Sequence, residues 1–149
     1  MKLIFLDIDG VLNNELFFKS RKEKAVKNES RIDFEVSMFD PRCVELLNHI
    51  IEKTNAHVVI SSSWRKGKDV KELETLFEKV GFKGTIIGKT PWLTYAGKNG
   101  TVPRGCEIKH WFDNHPDKDK YLDAKYVILD DDSDMLYWQR ENYFRVDGS

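Results

Sequence analysis

The chain begins with a short apolar run that ends in two aspartates, KLIFLDIDG at Lys2–Gly10. Lys2–Leu6 predicts a buried strand, and the Asp-Ile-Asp-Gly that follows predicts a turn. Two later segments have the same pattern, an apolar run followed by polar residues, although the polar residues are of other types. His57–Ile60 precedes three serines, and Tyr126–Leu129 precedes Asp130–Asp134, in which four of the five residues are acidic. If these strands are parallel, their polar ends meet at one edge of the sheet.

Helical patterns alternate with the predicted strands. Asp-Pro at 40–41 supplies an N-cap and a first-turn proline for a helix over 41–54, and apolar spacing predicts a helix from Val70 to Val80 that Gly81 closes. The other predicted elements are strands at Thr85–Ile87 and Tyr143–Val146, a helix that includes Ile108, Trp111 and Phe112, and a short helix over 133–141. This alternation is typical of a doubly wound, Rossmann-like α/β fold with a five-stranded, mainly parallel sheet.

The length of 149 residues fits a single domain over 1–149. One segment, at about 13–40, departs from the alternation because it is long, basic and interrupted by phenylalanines. We predict that it forms a small flap near the end of the first strand, since long structureless loops are uncommon in compact domains.

Composition excludes several classes of protein. With 24 Lys and Arg against 25 Asp and Glu the net charge is −1, which excludes a wholly basic mode of nucleic-acid binding. No apolar run approaches the roughly 18 residues of a membrane span, so no membrane partner is expected. The N-terminus also lacks the pattern of a signal peptide. Cys43 and Cys106 have no metal-site or redox spacing, which indicates reduced thiols and a cytoplasmic protein.

Charge is unevenly distributed, with basic segments at 15–31 and 83–109 and an acidic one at 113–134. Carboxylates gathered at one edge of a sheet repel one another unless a cation neutralises them, and hard divalent cations prefer oxygen ligands. The loop that starts at Asp7 is not an EF-hand, because Leu12 occupies the position that requires glycine. The acidic strand ends therefore predict a divalent-metal site of another kind.

The three strand ends together resemble the motifs of the haloacid dehalogenase (HAD) superfamily of phosphotransferases. Its first motif corresponds to Asp7–Gly10 and its second, a Ser or Thr that ends a strand, to Ser61. Its fourth, an acidic pair after a strand, corresponds to Asp130 and Asp131, with Asp134 as the more distant acid. The Ser-Ser-Ser-Trp-Arg run, together with Arg-Gly-Cys-Glu-Ile at 104–108, is similar to small HAD domains linked to RNA repair.

The resemblance implies a Mg²⁺-dependent phosphatase that works through an aspartyl-phosphate intermediate. Asp7 would be the nucleophile, and Asp9 would protonate the leaving oxygen and later deprotonate the attacking water. Mg²⁺ would be held by the Asp7 carboxylate, the Asp9 backbone carbonyl and Asp130, with Asp131 or Asp134 binding directly or through water.

Phosphate binding is implied for the second and third motifs. Ser61 would donate to a phosphoryl oxygen, with the backbone N–H of Ser62 as a second donor. The third motif is a Lys or Arg near the start of a helix, for which the sequence offers Arg104 or Lys109. We favour Arg104, because it precedes a helix whose N-terminal dipole attracts anions, whereas Lys109 lies a turn inside.

Several readings of function stay open. The phosphorylated substrate is either a nucleic-acid end or a small metabolite or nucleotide, and a third reading is a non-catalytic module that binds Mg²⁺ or phosphate. A receiver-like domain is disfavoured, because no Lys follows the last strand. The short 13–40 segment leaves little room for a lid, which favours large anionic substrates on a rim flanked by Lys19, Arg21, Lys22, Lys24, Lys89 and Lys98.

Two interpretations apply to each of three further residues, Arg65, Trp64 and Trp92. Arg65 is either a phosphate ligand or half of an ion pair. Trp64 and Trp92 are suited to stacking on a base, but we expect both to pack in the core.

Overall fold

A parallel sheet forms the centre of the computed structural model, which describes residues 1–22, 30–95 and 100–149. In the described residues its five strands are β1 (Lys2–Leu6), β2 (His57–Ile60), β3 (Ile86–Lys89), β4 (Lys125–Asp130) and β5 (Tyr143–Arg145). They lie in the order β3-β2-β1-β4-β5, and every neighbouring pair is parallel. The predicted five-stranded α/β sheet is thus confirmed, and it is entirely parallel.

The strand order places a crevice beside β1. The chain runs outward from β1 through β2 to β3, then returns to the other side of β1 for β4 and β5. The direction of travel therefore reverses between β1 and β4. In doubly wound sheets, ligands bind outside the carboxyl ends of the strands at such a reversal.

Helices cover both faces of the sheet. Within the described ranges there are five: α1 (Glu15–Lys22), α2 (Arg31–Ser37), α3 (Pro41–Thr54), α4 (Val70–Lys79) and α5 (Arg104–Asn114). Successive side chains of a strand point to opposite faces, so β1 contributes to two cores. Ile4 and Leu6 pack with apolar residues of α3 and α4, whereas Leu3 and Phe5 pack with α5.

Short-range chemistry sets the helix boundaries, as the sequence predicts. The Asp40 carboxylate accepts a hydrogen bond from the Arg42 backbone N–H at 3.0 Å, and Pro41 occupies the first turn of α3. Asp69 caps α4 in the same way by accepting from the Glu72 N–H at 2.7 Å. Gly81, with a φ of +89°, follows the end of α4 in the left-handed conformation that glycine tolerates best.

Two elements differ from the sequence prediction. The strand predicted at Thr85–Ile87 lies at Ile86–Lys89, and the helix predicted over 133–141 is only a 3₁₀ turn at Tyr137–Gln139. The segment makes short-range bonds of its own, in which the N–H groups of Gln139 and Arg140 donate to the carbonyls of Leu136 and Tyr137, and it also bonds to α5. The Asp134 carbonyl accepts from the Gly105 N–H at 3.1 Å, and the buried Gln139 amide joins the Leu136 N–H to the Gly105 carbonyl.

The segment at 13–40 contains α1 and α2, but residues 23–29 lie outside the described part of the chain. The flap therefore stays a prediction. Among the described helices, none has both the length and the apolar character needed to cross a membrane.

Candidate functional site

The register of the three central strands brings their polar ends side by side. Leu6 of β1 pairs with Ile60 of β2 and with Leu129 of β4. The next residue on each strand is therefore Asp7, Ser61 and Asp130, and the ladder continues through them. The Asp7 N–H donates to the Leu129 carbonyl at 3.0 Å, and the Ser61 N–H donates to the Leu6 carbonyl at 2.8 Å.

Three carboxylates converge at this edge of the sheet. One oxygen from each of Asp7, Asp130 and Asp131 lies within 4.8 Å of the others. Asp7 is 6% exposed and Asp130 is 1% exposed, and Asp130 Oδ2 makes no hydrogen bond within the described residues. A buried carboxylate oxygen without a hydrogen bond, beside two further carboxylates, fits a hard divalent cation such as Mg²⁺, which takes oxygen ligands.

The cluster is electrostatically costly without a cation. Burial, together with the neighbouring Asp7, raises the pKa of Asp130 to about 8. Burial also raises the pKa of Asp7 to about 6, although Arg104 and hydrogen bonds from the Ile8 N–H and the Ser62 hydroxyl act in the opposite direction. Both shifts follow from the cost of holding like charges away from water.

Gly10 lets the β1 loop approach Asp131. Its φ is +81°, and a Cβ at this position would lie 2.2 Å from Asp131 Oδ2. The same loop packs against the end of the chain, where a Cβ on Gly148 would lie 2.9 Å from the Gly10 Cα. The turn that the sequence predicts is thus also a close approach between two acidic segments.

Arg104 faces the cluster from the first turn of α5. Its Nη1 lies 3.3 Å from Asp7 Oδ1 and 3.5 Å from Asp130 Oδ2, and it donates to the Ser61 carbonyl. Lys109, the other predicted cation, is half-exposed and pairs with Asp113 on the same helix. Of the two, only Arg104 is brought to the carboxylates.

Ser61 and Ser62, the first two of the three serines that follow β2, are both buried. Ser61 Oγ makes no hydrogen bond to any described residue, so its hydroxyl is available to a ligand. The Ser62 hydroxyl contacts Asp7 and also accepts from the Trp64 backbone N–H at 3.2 Å. Buried hydroxyls are normally hydrogen-bonded. The hydroxyl of Ser61 has no such partner among the described residues and lies beside carboxylates and a guanidinium.

A family model described as the HAD domain in Swiss Army Knife RNA repair proteins matches residues 3–149. The chain belongs to this family. No curated protein and no solved structure shows significant similarity to it. The strand-end motifs, which resemble those of small HAD domains, are therefore those of a HAD domain of this RNA repair family.

In this HAD domain the second acid of the first motif, Asp9, is exposed. Its Oδ1 accepts from Asn13 Nδ2 at 3.2 Å and its Oδ2 accepts from Trp64 Nε1 at 3.0 Å. Neither donor is predicted from the sequence as a site residue. An Asn three residues after Gly10 is a local signal that could have indicated Asn13, but no short-range pattern indicates the contact from Trp64.

Asp134 is separated from the carboxylate cluster of the HAD domain. Its Oδ2 accepts from the backbone N–H of Arg104 at 2.7 Å, so it caps the start of α5. It is not among the acids whose oxygens converge, which are Asp7, Asp130 and Asp131. Asp134 thus orients the residue that faces the cluster.

Arg65 forms a buried ion pair with Glu107 of α5. Its Nη2 lies 2.6 Å from Glu107 Oε1, and its other nitrogens donate to the carbonyls of Ser62 and Thr90. This network connects the loop after β2 to α5. It agrees with the second interpretation of Arg65, in which it is half of an ion pair.

The aromatic and basic residues of the rim have mixed environments. Trp64 packs against the core as predicted, with its ring centroid 5.3 Å from that of Phe39. Trp92 is 38% exposed, with Lys66 Nζ 5.0 Å from the centre of its ring, so the expectation that it lies in the core is wrong.

The lysines and arginine predicted to flank the rim are partly engaged within the protein. Lys89 donates to the carbonyls of Arg65 and Lys68. Lys19 lies 3.8 Å from Glu15, and Arg21 donates to Ser37. Lys24 and Lys98 lie outside the described residues, and only the backbone of Lys22 is described.

Proposed function

We propose that the chain is a Mg²⁺-dependent phosphomonoesterase that forms a covalent intermediate on Asp7. The observation that carries the proposal is the alignment of Asp7, Ser61 and Asp130 at one edge of the sheet, with Arg104 opposite them. It combines a nucleophile, a hydroxyl donor without a partner and a cation, which are the groups that phosphoryl transfer requires.

The reaction has two steps. An Asp7 oxygen attacks phosphorus while the bond from phosphorus to the leaving oxygen breaks, and Asp9 gives its proton to that oxygen. Asp9 then takes a proton from water, whose oxygen attacks the acyl phosphate and releases inorganic phosphate and free Asp7. The hydrogen bond from Ser62 and the charge of Arg104 favour the ionised Asp7 that the first step needs.

The proposed metal ligands are the carboxylates of Asp7, Asp130 and Asp131, with the backbone carbonyl of Asp9. The convergence of the three carboxylates supports Asp131 over Asp134 as the additional acid. Bound Mg²⁺ would neutralise the charge that otherwise repels an anionic phosphate from Asp7. Ser61 and Arg104 would donate to the phosphoryl oxygens.

Mg²⁺ dependence is the first test of this proposal. The purified protein should release phosphate from an aryl phosphate with Mg²⁺, lose activity on chelation, and work poorly with Ca²⁺, whose looser coordination misplaces the nucleophile. Turnover that survives chelation would contradict the metal assignment. Mg²⁺ binding without turnover on any phosphomonoester would favour a non-catalytic binding module.

We further propose that the substrate carries its phosphate at a nucleic-acid end. The description of the family as an RNA repair domain supports this class. The exposed pair of Trp92 and Lys66 supports it as well, because an aromatic ring beside a cation suits a base and its phosphate. Trp92 also lies near the loop after β2 that contains Ser61 and Ser62, since its ring is 5.1 Å from the Arg65 guanidinium, which donates to the Ser62 carbonyl.

The substrate class is tested by comparing kcat/KM on oligonucleotides with a terminal phosphate and on mononucleotides. We expect a preference for the oligonucleotide that weakens as salt rises from about 50 to 200 mM, because phosphate contacts release counterions. A preference for mononucleotides or sugar phosphates that salt does not change would indicate a small-metabolite phosphatase.

A further inference from the structure

The carboxylate of Asp9 is held at both of its oxygens. Asn13 Nδ2 donates to Oδ1 at 3.2 Å, and the indole Nε1 of Trp64 donates to Oδ2 at 3.0 Å. Asp9 is exposed, and an exposed Asp side chain with no partners rotates freely. Two donors from different segments instead fix the orientation of this one.

Trp64 is itself held firmly. It lies in the 3₁₀ turn Ser63–Arg65, which comes directly after Ser61 and Ser62, and its backbone N–H donates to Ser62 Oγ. Its ring packs edge-on against Phe39, with ring centroids 5.3 Å apart and an angle of 73° between the planes. The indole N–H therefore points at Asp9 from a ring that packing holds in place.

Asn13 is the second support and is 1% exposed. Its Oδ1 accepts from the Gly10 N–H at 2.8 Å, and its Nδ2 also donates to the Met38 carbonyl at 3.0 Å. One amide thus joins the turn after β1 to the residues before α3, and the donor that reaches Asp9 has a fixed position.

We propose that Trp64 and Asn13 are positioning residues that hold the Asp9 carboxylate where it exchanges a proton with the leaving oxygen and with water. The inference rests on the proposed function, in which Asp9 is the general acid and base. Proton transfer requires the two oxygens at hydrogen-bond distance, so fixing the carboxylate raises the fraction of productive encounters. Neither side chain acts on the substrate directly.

The consequence depends on the leaving group. A nitrophenolate departs without a proton, so loss of positioning has little effect on it. An alkoxide departs only when protonated, so the same loss slows alkyl phosphates. KM should be unchanged, because the proposed phosphate ligands Ser61 and Arg104 are not replaced.

Trp64→Phe is the main test, since it keeps a ring against Phe39 and removes the N–H. We expect kcat on a simple alkyl phosphate to fall about tenfold and kcat on nitrophenyl phosphate to change by less than about twofold. Trp138→Phe is the matched control, because Trp138 is an exposed tryptophan of the 3₁₀ turn Tyr137–Gln139 with no described contact to Asp9, and it should change neither. Thermal unfolding of each variant shows that it is folded.

A double-mutant cycle separates positioning from packing. In an Asp9→Asn background Trp64→Phe should have no further effect on the alkyl phosphate, because it acts only through Asp9. Asn13→Ala is a second variant that removes the donor to Asp9 without adding a charge beside it, and it should show the same dependence on leaving group.

Equal losses on both substrates, no loss on either, or additive losses in the Asp9→Asn background would overturn the inference. These results differ from a failure of the proposed function. That failure would appear as a wild-type protein without turnover, or as full activity of Asp7→Asn, and it would remove both proposals together.

Discussion

The two acidic strand ends, one after β1 and the other after β4, carry the same residue type in different environments. After β1, Asp7 is buried in the cluster and Asp9 is exposed between two donors. After β4, Asp130 and Asp131 converge with Asp7, whereas Asp134 accepts from the backbone of α5. Each end thus divides its acids between a group that faces the cluster and a group held apart by hydrogen bonds.

The difference shows what gives a carboxylate its role. In the cluster, burial and like charge raise the pKa values of Asp7 and Asp130, so these groups call for a cation. Outside it, side-chain donors occupy both oxygens of Asp9, and the backbone N–H of Arg104 donates to one oxygen of Asp134. Membership of an acidic run does not decide whether a carboxylate joins the cluster, because Asp134 belongs to the same run as Asp130.

The largest expected effect is the difference in activity between replacing an acid of the cluster and replacing an exposed acid. Asp7→Asn should lower kcat by at least about a thousandfold on every substrate, because an amide cannot form the acyl phosphate. Asp132→Asn, at an exposed acid of the β4 end, should change kcat by less than about twofold. Phosphate release under saturating Mg²⁺ measures both, and comparable losses would remove the distinction between the two positions.

The next effect concerns the cation that bridges the two ends. Arg104→Met should lower kcat/KM by about a hundredfold, because it removes the guanidinium that we propose as a donor to the phosphoryl oxygens. Lys109→Met should have little effect, since Lys109 pairs with Asp113 away from the cluster. Steady-state kinetics on an aryl phosphate checks the pair, and a larger loss at Lys109 would assign the third motif to that residue.

The raised pKa of Asp130 predicts how stability depends on pH without metal. Its pKa lies at about 8 in the folded protein against an ordinary value of 3.8. The folded state therefore binds the proton more tightly, and stability is lost as pH rises through that window. Asp130→Asn should flatten this decline, as measured by urea unfolding in chelator at several pH values. An unchanged slope would show that Asp130 does not titrate in this range.

The smallest expected effect is on the acid that caps α5. Asp134→Ala should lower the free energy of unfolding by about 1 kcal/mol, because the first N–H of α5 and the positive helix end lose their partner. Asp134→Asn keeps an oxygen acceptor and should cost less. Urea unfolding measures both, and a large drop in Mg²⁺ affinity for Asp134→Asn would instead make it a metal ligand.

Much of the fold could be predicted because its signals are local. An apolar run followed by an acid marks β1 and β4, and Asp-Pro marks the start of α3. These patterns extend over a few residues, and parallel strands then bring their ends together. The form of the 133–141 segment does not follow from local signals, because part of its hydrogen bonding is to α5, some thirty residues earlier in the chain.

The supports of the site could not be predicted, since they depend on contacts between distant residues. Trp64 and Asp9 are 55 residues apart in the chain, and Arg65 and Glu107 are 42 apart. A tryptophan or an arginine after a strand has several roles of similar plausibility until its neighbours are known. Lys89 is a further example, because its ammonium donates to the backbone carbonyls of Arg65 and Lys68.

The central position of β1 also has a consequence for synthesis of the chain. β1 pairs with β2 on one side, but its other partner, β4, begins only at Lys125. As the chain leaves the ribosome, one edge of its most buried strand stays open until more than a hundred further residues have been added. Open apolar edges promote association between chains. We therefore expect a chaperone that covers this edge to increase the yield of folded protein.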